Sequence, residues 1–145
     1  MTLHHTKHHN TYVTNLNATI EKIDSAMTSG DVSATIALQG ALKFNGGGHI
    51  NHCLFWENLA PESSGVKAGG ALDAAINERF GSLDGLKSEM SAKSLAIQGS
   101  GWGWLAYNPT TGKIIGKKFL FVPLTISVSK VWSNKVCPFL CYRQN

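Results

Sequence analysis

Two histidines three residues apart, His49 and His52, sit in the stretch Phe44-Asn45-Gly46-Gly47-Gly48-His49-Ile50-Asn51-His52-Cys53-Leu54-Phe55-Trp56, otherwise built mostly from glycine and large apolar residues. Four more, His4, His5, His8 and His9, fall within six residues near Met1. Neutral imidazole is the commonest protein ligand for transition metals, so metal binding is the first chemistry to weigh. Side chains three and four apart are neighbours on a helix, which puts His49 and His52 on one face. By the same rule His4, His8 and Tyr12 share a face of an earlier helix, with His5 and His9 on the adjacent one. Three consecutive glycines cost a helix roughly 3 kcal/mol relative to alanine. Their usual use is to let something approach the backbone closely. A ligand-bearing helix in a dry pocket fits these residues. A Gly-rich turn before a buried helix with a hydrogen-bonded core histidine fits them too, as does a solvated, His-rich helix start near Met1.

The elements that must position these side chains can be read from periodicity. Apolar Val13, Leu16, Ile20, Ile23 and Met27 recur at three and four residues, so Met1 to Gly30 reads as a helix. Ser29-Gly30 is a stop and Asp31 an N-cap, after which Val32 to Leu59 reads as a second helix ending before Pro61. A tight turn between two long helices makes an antiparallel hairpin. That pairing brings His4 level with His52, so two histidines from different helices can meet one metal ion. Residues 61–70 are polar and glycine-rich, a linker. Helices follow at Ala71 to Phe80 and Leu83 to Ala96, with Ser82 placed to cap the second. Gln98 to Tyr107 then alternates small and large aromatic residues at period two, and Asn108-Pro109-Thr110-Thr111-Gly112 is a turn before Lys113-Ile114-Ile115. This is a strand hairpin with Trp102 and Trp104 on one face. From Lys117 to Asn145 no clear period emerges.

The 145 residues suffice for one ordinary domain or two small layers. No apolar run is long enough to span a bilayer, and no signal peptide opens at Met1, so no membrane partner is expected. A chain beginning at Met1 is expected in the cytoplasm, or is a mature form lacking its targeting segment. Cys53, Cys137 and Cys141 are odd in number and fit neither a redox nor a zinc spacing, so they read as ordinary thiols. The net charge of +4 is uneven. Residues 1–89 hold six Lys/Arg and all nine Asp/Glu, whereas residues 90–145 hold seven Lys/Arg and no acid. The basic charges are spread too thinly, with no recognisable module, to imply a nucleic-acid partner. The glycines before Trp102 are no phosphate loop either.

Three motifs in order, Leu3 to Val13, Phe44 to Trp56 and Gln98 to Leu105, resemble those of the iron/manganese superoxide dismutase family. The resemblance covers about Met1 to Ile114. It implies an α+β fold: an N-terminal antiparallel helical hairpin at 1–60, a linker at 61–70, the start of a small, incomplete α/β domain at 71–116, and an unassigned, divergent tail at 117–145. It also implies metal-dependent disproportionation of superoxide to hydrogen peroxide and dioxygen. His4 and His52 would be metal ligands, Tyr12 and His8 would line the substrate channel, and Gln98 would hydrogen-bond the metal-bound water. Phe44, Trp102 and Trp104 would form an aromatic wall. The resemblance is to the manganese type, so manganese rather than iron is the implied cofactor, the mitochondrial matrix the implied compartment, and a homo-oligomer the implied assembly.

The same resemblance implies two further ligands, an aspartate and a third histidine from a D-x-W-E-H motif. No histidine follows His52 and no Asp or Glu follows Glu89. Such a tail suits a frame-shifted or spliced end, and the isolated chain is expected to bind manganese weakly and turn over little. The reading from a different class is a non-catalytic chain that co-assembles with full-length dismutase subunits.

Overall fold

The structure, a computed structural model, describes residues 1–64, 69–99, 101–108 and 110–119. Part of the expected linker, most of the expected tail, Cys137 and Cys141 lie outside the described residues. Met1–Trp56 forms one compact unit and the described residues from Glu57 onward belong to a second.

The first unit is the expected helical hairpin. A π-helical turn, His4–His9, runs without interruption into α1 (Asn10–Thr28). Gly30, at φ +70°, makes the left-handed turn that glycine adopts without a Cβ penalty. Asp31 then caps α2 (Val32–Ala37), its carboxylate accepting from the Ala34 N–H at 2.9 Å. The sequence predicts one helix over Val32 to Leu59. Instead the run is interrupted at Leu38, and α3 spans Gln39–Glu57. Thr35, Ile36 and Gly40, all weak helix formers, surround the interruption, so little propensity opposes it. α1 and α3 are antiparallel and close: Leu16 packs at Gly46 and Tyr12 at Gly48. The apolar stripe of α1 is only partly covered, with Ile20 41% and Met27 66% exposed.

In the second unit a short 3₁₀ turn, Glu62–Ser64, precedes α4 (Gly70–Phe80) and α5 (Leu83–Leu95). Ser82 caps α5 as expected, accepting from the Gly85 N–H at 3.0 Å. The predicted strand hairpin is present. β1 (Trp102–Asn108) pairs antiparallel with β2 (Lys113–Phe119), with Leu105 opposite Gly116 and Asn108 opposite Lys113. Asn108 Oδ1 accepts from the Thr110 and Thr111 N–H groups at 2.9 and 3.3 Å, which fixes the turn. The core is Ile76, Leu86, Met90, Leu105 and Ile114, flanked by Leu72, Ala75 and Phe80. Strand glycines let α5 close on the sheet: a Cβ at Gly103 would strike the Ser94 hydroxyl, and one at Gly116 would lie 2.9 Å from Met90 Sδ.

Candidate metal centre

His4 Nε2 and His52 Nε2 face each other across the helical hairpin at 3.0 Å. His52, 1% exposed, ranks among the most buried large side chains described. Its other nitrogen, Nδ1, is 2.7 Å from the Gly48 carbonyl oxygen. A carbonyl only accepts, so Nδ1 carries the proton and Nε2 presents its lone pair toward His4. This is how a metal-ligating histidine is usually held, with its second N–H fixed by a backbone carbonyl. The donor set therefore fits a transition-metal ion between His4 and His52.

His8 joins them: the candidate ligand atoms of His4, His8 and His52 lie within 4.8 Å of one another. The Tyr12 ring packs on His52 at 5.2 Å between centroids, with the His8 ring 5.9 Å from Tyr12 and 5.7 Å from His52. Phe44 continues the aromatic contacts at 5.8 Å from Tyr12, and Phe55 and Trp56 lie 5.2 and 5.3 Å from His4. Burial, reinforced for His4 by neighbouring His8 and for His52 by His4, lowers both imidazole pKa values. For His52 the Gly48 hydrogen bond opposes that trend without reversing it. Both rings are thus biased to the neutral form that can bind a metal.

The glycines have a physical reason. A Cβ at Gly48 would collide with Cγ, Cδ1 and Cε1 of Tyr12, so only glycine lets that ring lie over α3 beside His52. Gly46 and Gly47 are also buried, Gly46 against Leu16 of α1.

His9 departs from the expected placement on the adjacent face with His5. It is 9% exposed and turned inward, its Nε2 2.9 Å from His49 Nδ1 and its ring stacked on His52 at 5.1 Å. The cause is the π turn, in which the Asn10 N–H reaches the His5 carbonyl five residues back. Residues five apart sit roughly 140° apart on an α-helix. A π turn closes on i→i+5 and brings them nearly into line. Hence His4 and His9 both address α3. The one sequence signal was the doubled pair His4-His5 and His8-His9, which places histidines five apart.

Trp56 was also missed as a hydrogen-bonding residue. Its indole Nε1–H donates to His9 Nδ1 at 3.0 Å. Gln98 belongs to the second unit and is exposed, so its relation to the histidines lies outside what either unit describes. Trp102 and Trp104 stack at 6.0 Å on one face of β1, as the alternation predicts. Among the described residues the buried Trp104 Nε1 has no hydrogen-bond partner.

Comparison with known proteins places both parts of the chain in one family. The sequence-family model for the iron/manganese superoxide dismutase alpha-hairpin domain matches residues 1–60, and that for the C-terminal domain of the same enzymes matches residues 68–134. The chain is 58% identical over 111 residues to the mitochondrial manganese superoxide dismutase of Apostichopus californicus, covering 77% of this chain and 76% of that protein. It is 56% identical over 114 residues to that of Petromyzon marinus, covering 79% and 78%. A third relative, from Cryptococcus neoformans and of the same name, is 56% identical over 117 residues; there the match covers 79% of this chain and 52% of the fungal protein.

Proposed function

This chain belongs to the iron/manganese superoxide dismutase family, and from that membership we propose that it disproportionates superoxide at a manganese ion held by His4 and His52. The observation that carries the reading is the 3.0 Å approach of their Nε2 atoms, with the His52 tautomer set by Gly48. The chemistry supplied on binding is a one-electron couple: one superoxide is oxidised to dioxygen, and the next, with two protons, is reduced to hydrogen peroxide.

The chain's own residues do the rest. Burial keeps His4 and His52 neutral, so their lone pairs are available near neutral pH. The Gly48 carbonyl orients His52 and increases the basicity of its Nε2. His8 and Tyr12, the proton-bearing groups packed on His52 from the N-terminal helix, line the approach of the superoxide anion. The rings of Phe44, Phe55 and Trp56 thin the water around the cluster, which strengthens each remaining hydrogen bond. Gln98 takes the role the family resemblance implies, a hydrogen bond to the metal-bound water, and Gln98→Ala should lose turnover with manganese retained.

The relatives are mitochondrial, and the mitochondrial matrix is the compartment we propose, with assembly into a homo-oligomer. Among the described residues no helix is long and apolar enough to cross a membrane.

The test is manganese content and superoxide disproportionation measured together on the purified chain across a manganese titration. Two imidazoles hold a divalent ion loosely, so turnover should require excess manganese and scale with the amount bound. Both should be lost in His52→Ala with helix content retained. Turnover indifferent to manganese or to His52→Ala would overturn the assignment.

A further inference from the structure

Beside the His4–His52 pair lies a second cluster that the proposed reaction does not use. His9 Nε2 is 2.9 Å from His49 Nδ1, and Cys53 Sγ is 3.8 Å from each His49 ring nitrogen. One ligand atom from each of the three lies within 4.8 Å of the others. His49 and Cys53 are one turn apart on α3, and His9 reaches them from the π turn, so both helices contribute.

These separations suit an ion. Zinc bonds nitrogen at about 2.0–2.1 Å and sulfur at about 2.3 Å. Tetrahedral angles then place sulfur about 3.6 Å from nitrogen and two nitrogens about 3.4 Å apart. Cys53 already stands near that spacing from His49 but equidistant from both ring nitrogens, so on loading its thiol swings toward the Nδ1 side while His9 and His49 part by about 0.5 Å. Unlike the first cluster, this one offers a thiol, and thiolate favours zinc-class ions over manganese.

We propose that His9, His49 and Cys53 form a second metal site, built for a thiophilic divalent ion such as zinc, with a fourth position left to water. On loading, Cys53 releases its thiol proton to solvent and its sulfur bonds the ion. His9 must also change state. An indole N–H only donates, so in the metal-free chain Trp56 makes His9 Nδ1 an acceptor and leaves the ring proton on Nε2, directed at His49. Coordination through Nε2 moves that proton to Nδ1 and ends the Trp56 hydrogen bond. Trp56 therefore opposes loading, and its removal should favour it.

The experiment uses the full chain carrying Cys137→Ser and Cys141→Ser, so that Cys53 is the sole thiol, titrated with cadmium or cobalt(II) and then with zinc. We expect a thiolate-to-metal charge-transfer absorption that saturates at one ion per chain and, for the cobalt band, is bleached by zinc. Cys53→Ser should abolish it. His9→Gln and His49→Gln, which keep a hydrogen-bonding side chain, should weaken affinity at least about tenfold, since losing even an outer partner costs about 10–100-fold. Trp56→Phe should tighten it. The signal should survive His52→Ala, so it stands or falls separately from the manganese site. No charge-transfer absorption, or one equally strong in both histidine variants with helix content unchanged, would overturn the proposal.

Discussion

Adding one methyl group at each of two glycines, two residues apart on α3, should have opposite effects. In the interior of a helix, Gly→Ala stabilises by about 1 kcal/mol through backbone entropy alone. At Gly46 the new Cβ would meet Leu16 Cδ1 at 3.6 Å, ordinary van der Waals contact, so Gly46→Ala should stabilise by about 1 kcal/mol. At Gly48 the same methyl falls into the Tyr12 ring, with Cγ, Cδ1 and Cε1 all too close. Cγ sits next to the Tyr12 backbone, so rotating the ring cannot clear it, and the helices must separate. Overpacking of this kind costs about 1–3 kcal/mol, which outweighs or cancels the entropy gain. The two variants should therefore differ by about 1–3 kcal/mol, with Gly48→Ala the less stable. At about 4 °C per kcal/mol for a chain of this size, the midpoints should differ by roughly 4–12 °C. Thermal and urea unfolding of the metal-free protein, followed by circular dichroism, reads this directly. Equal stabilisation by the two substitutions would refute the close approach of Tyr12 to α3. Gly48→Ala should also weaken manganese binding, because it disturbs the carbonyl that orients His52.

The remaining predictions concern acid sensitivity and local anchors. His4, His9 and His52 all have pKa values lowered from 6.5, chiefly by burial. Near and below that value the unfolded chain takes up protons that the folded chain resists, so stability is complete above it and is lost as pH falls. Urea midpoints at neutral pH should exceed those at acid pH, and His52→Gln should flatten the dependence; a flat wild-type profile would contradict the burial of these rings. Asp31→Ala should cost about 1 kcal/mol by uncapping α2, and Ser82→Ala about the same at α5, each read as a shift in urea midpoint. Asn108→Ala removes the acceptor for two turn N–H groups and should destabilise by about 1–2 kcal/mol, with hydrogen exchange at Thr110 and Thr111 accelerated.

Much of the architecture was legible because it is written in local signals. Asp31 and Ser82 announce their caps, Asn108 and Gly112 their turn, and the Trp102/Trp104 alternation its strand. The antiparallel hairpin followed from two helices and a short turn, and it was enough to set His4 against His52. The interruption at Leu38 was not legible, since periodicity continues across it and weak helix formers permit a break without demanding one. Nor was the inward turn of His9. Face assignments assume a constant number of residues per turn, and a single i→i+5 turn breaks that assumption for every residue before it. The partnership of Trp56 with His9 depends on the same turn. The glycine run could be read as a close approach, but not as the seat of the Tyr12 ring, because sequence does not say which side chain arrives.

The wide turn at His4–His9 bears on how the chain tolerates changes of length. Residues four apart on an α-helix lie within about 40° of each other. Deleting the exposed Thr6 would make His4 and His9 four apart, and an ordinary α-turn would then aim both at α3, as the π turn does now. The turn behaves as a one-residue insertion that the helix absorbs without redirecting its histidines. A natural variant one residue shorter here could keep the same pair of contacts, and an alignment gap at this point would not signal a lost site.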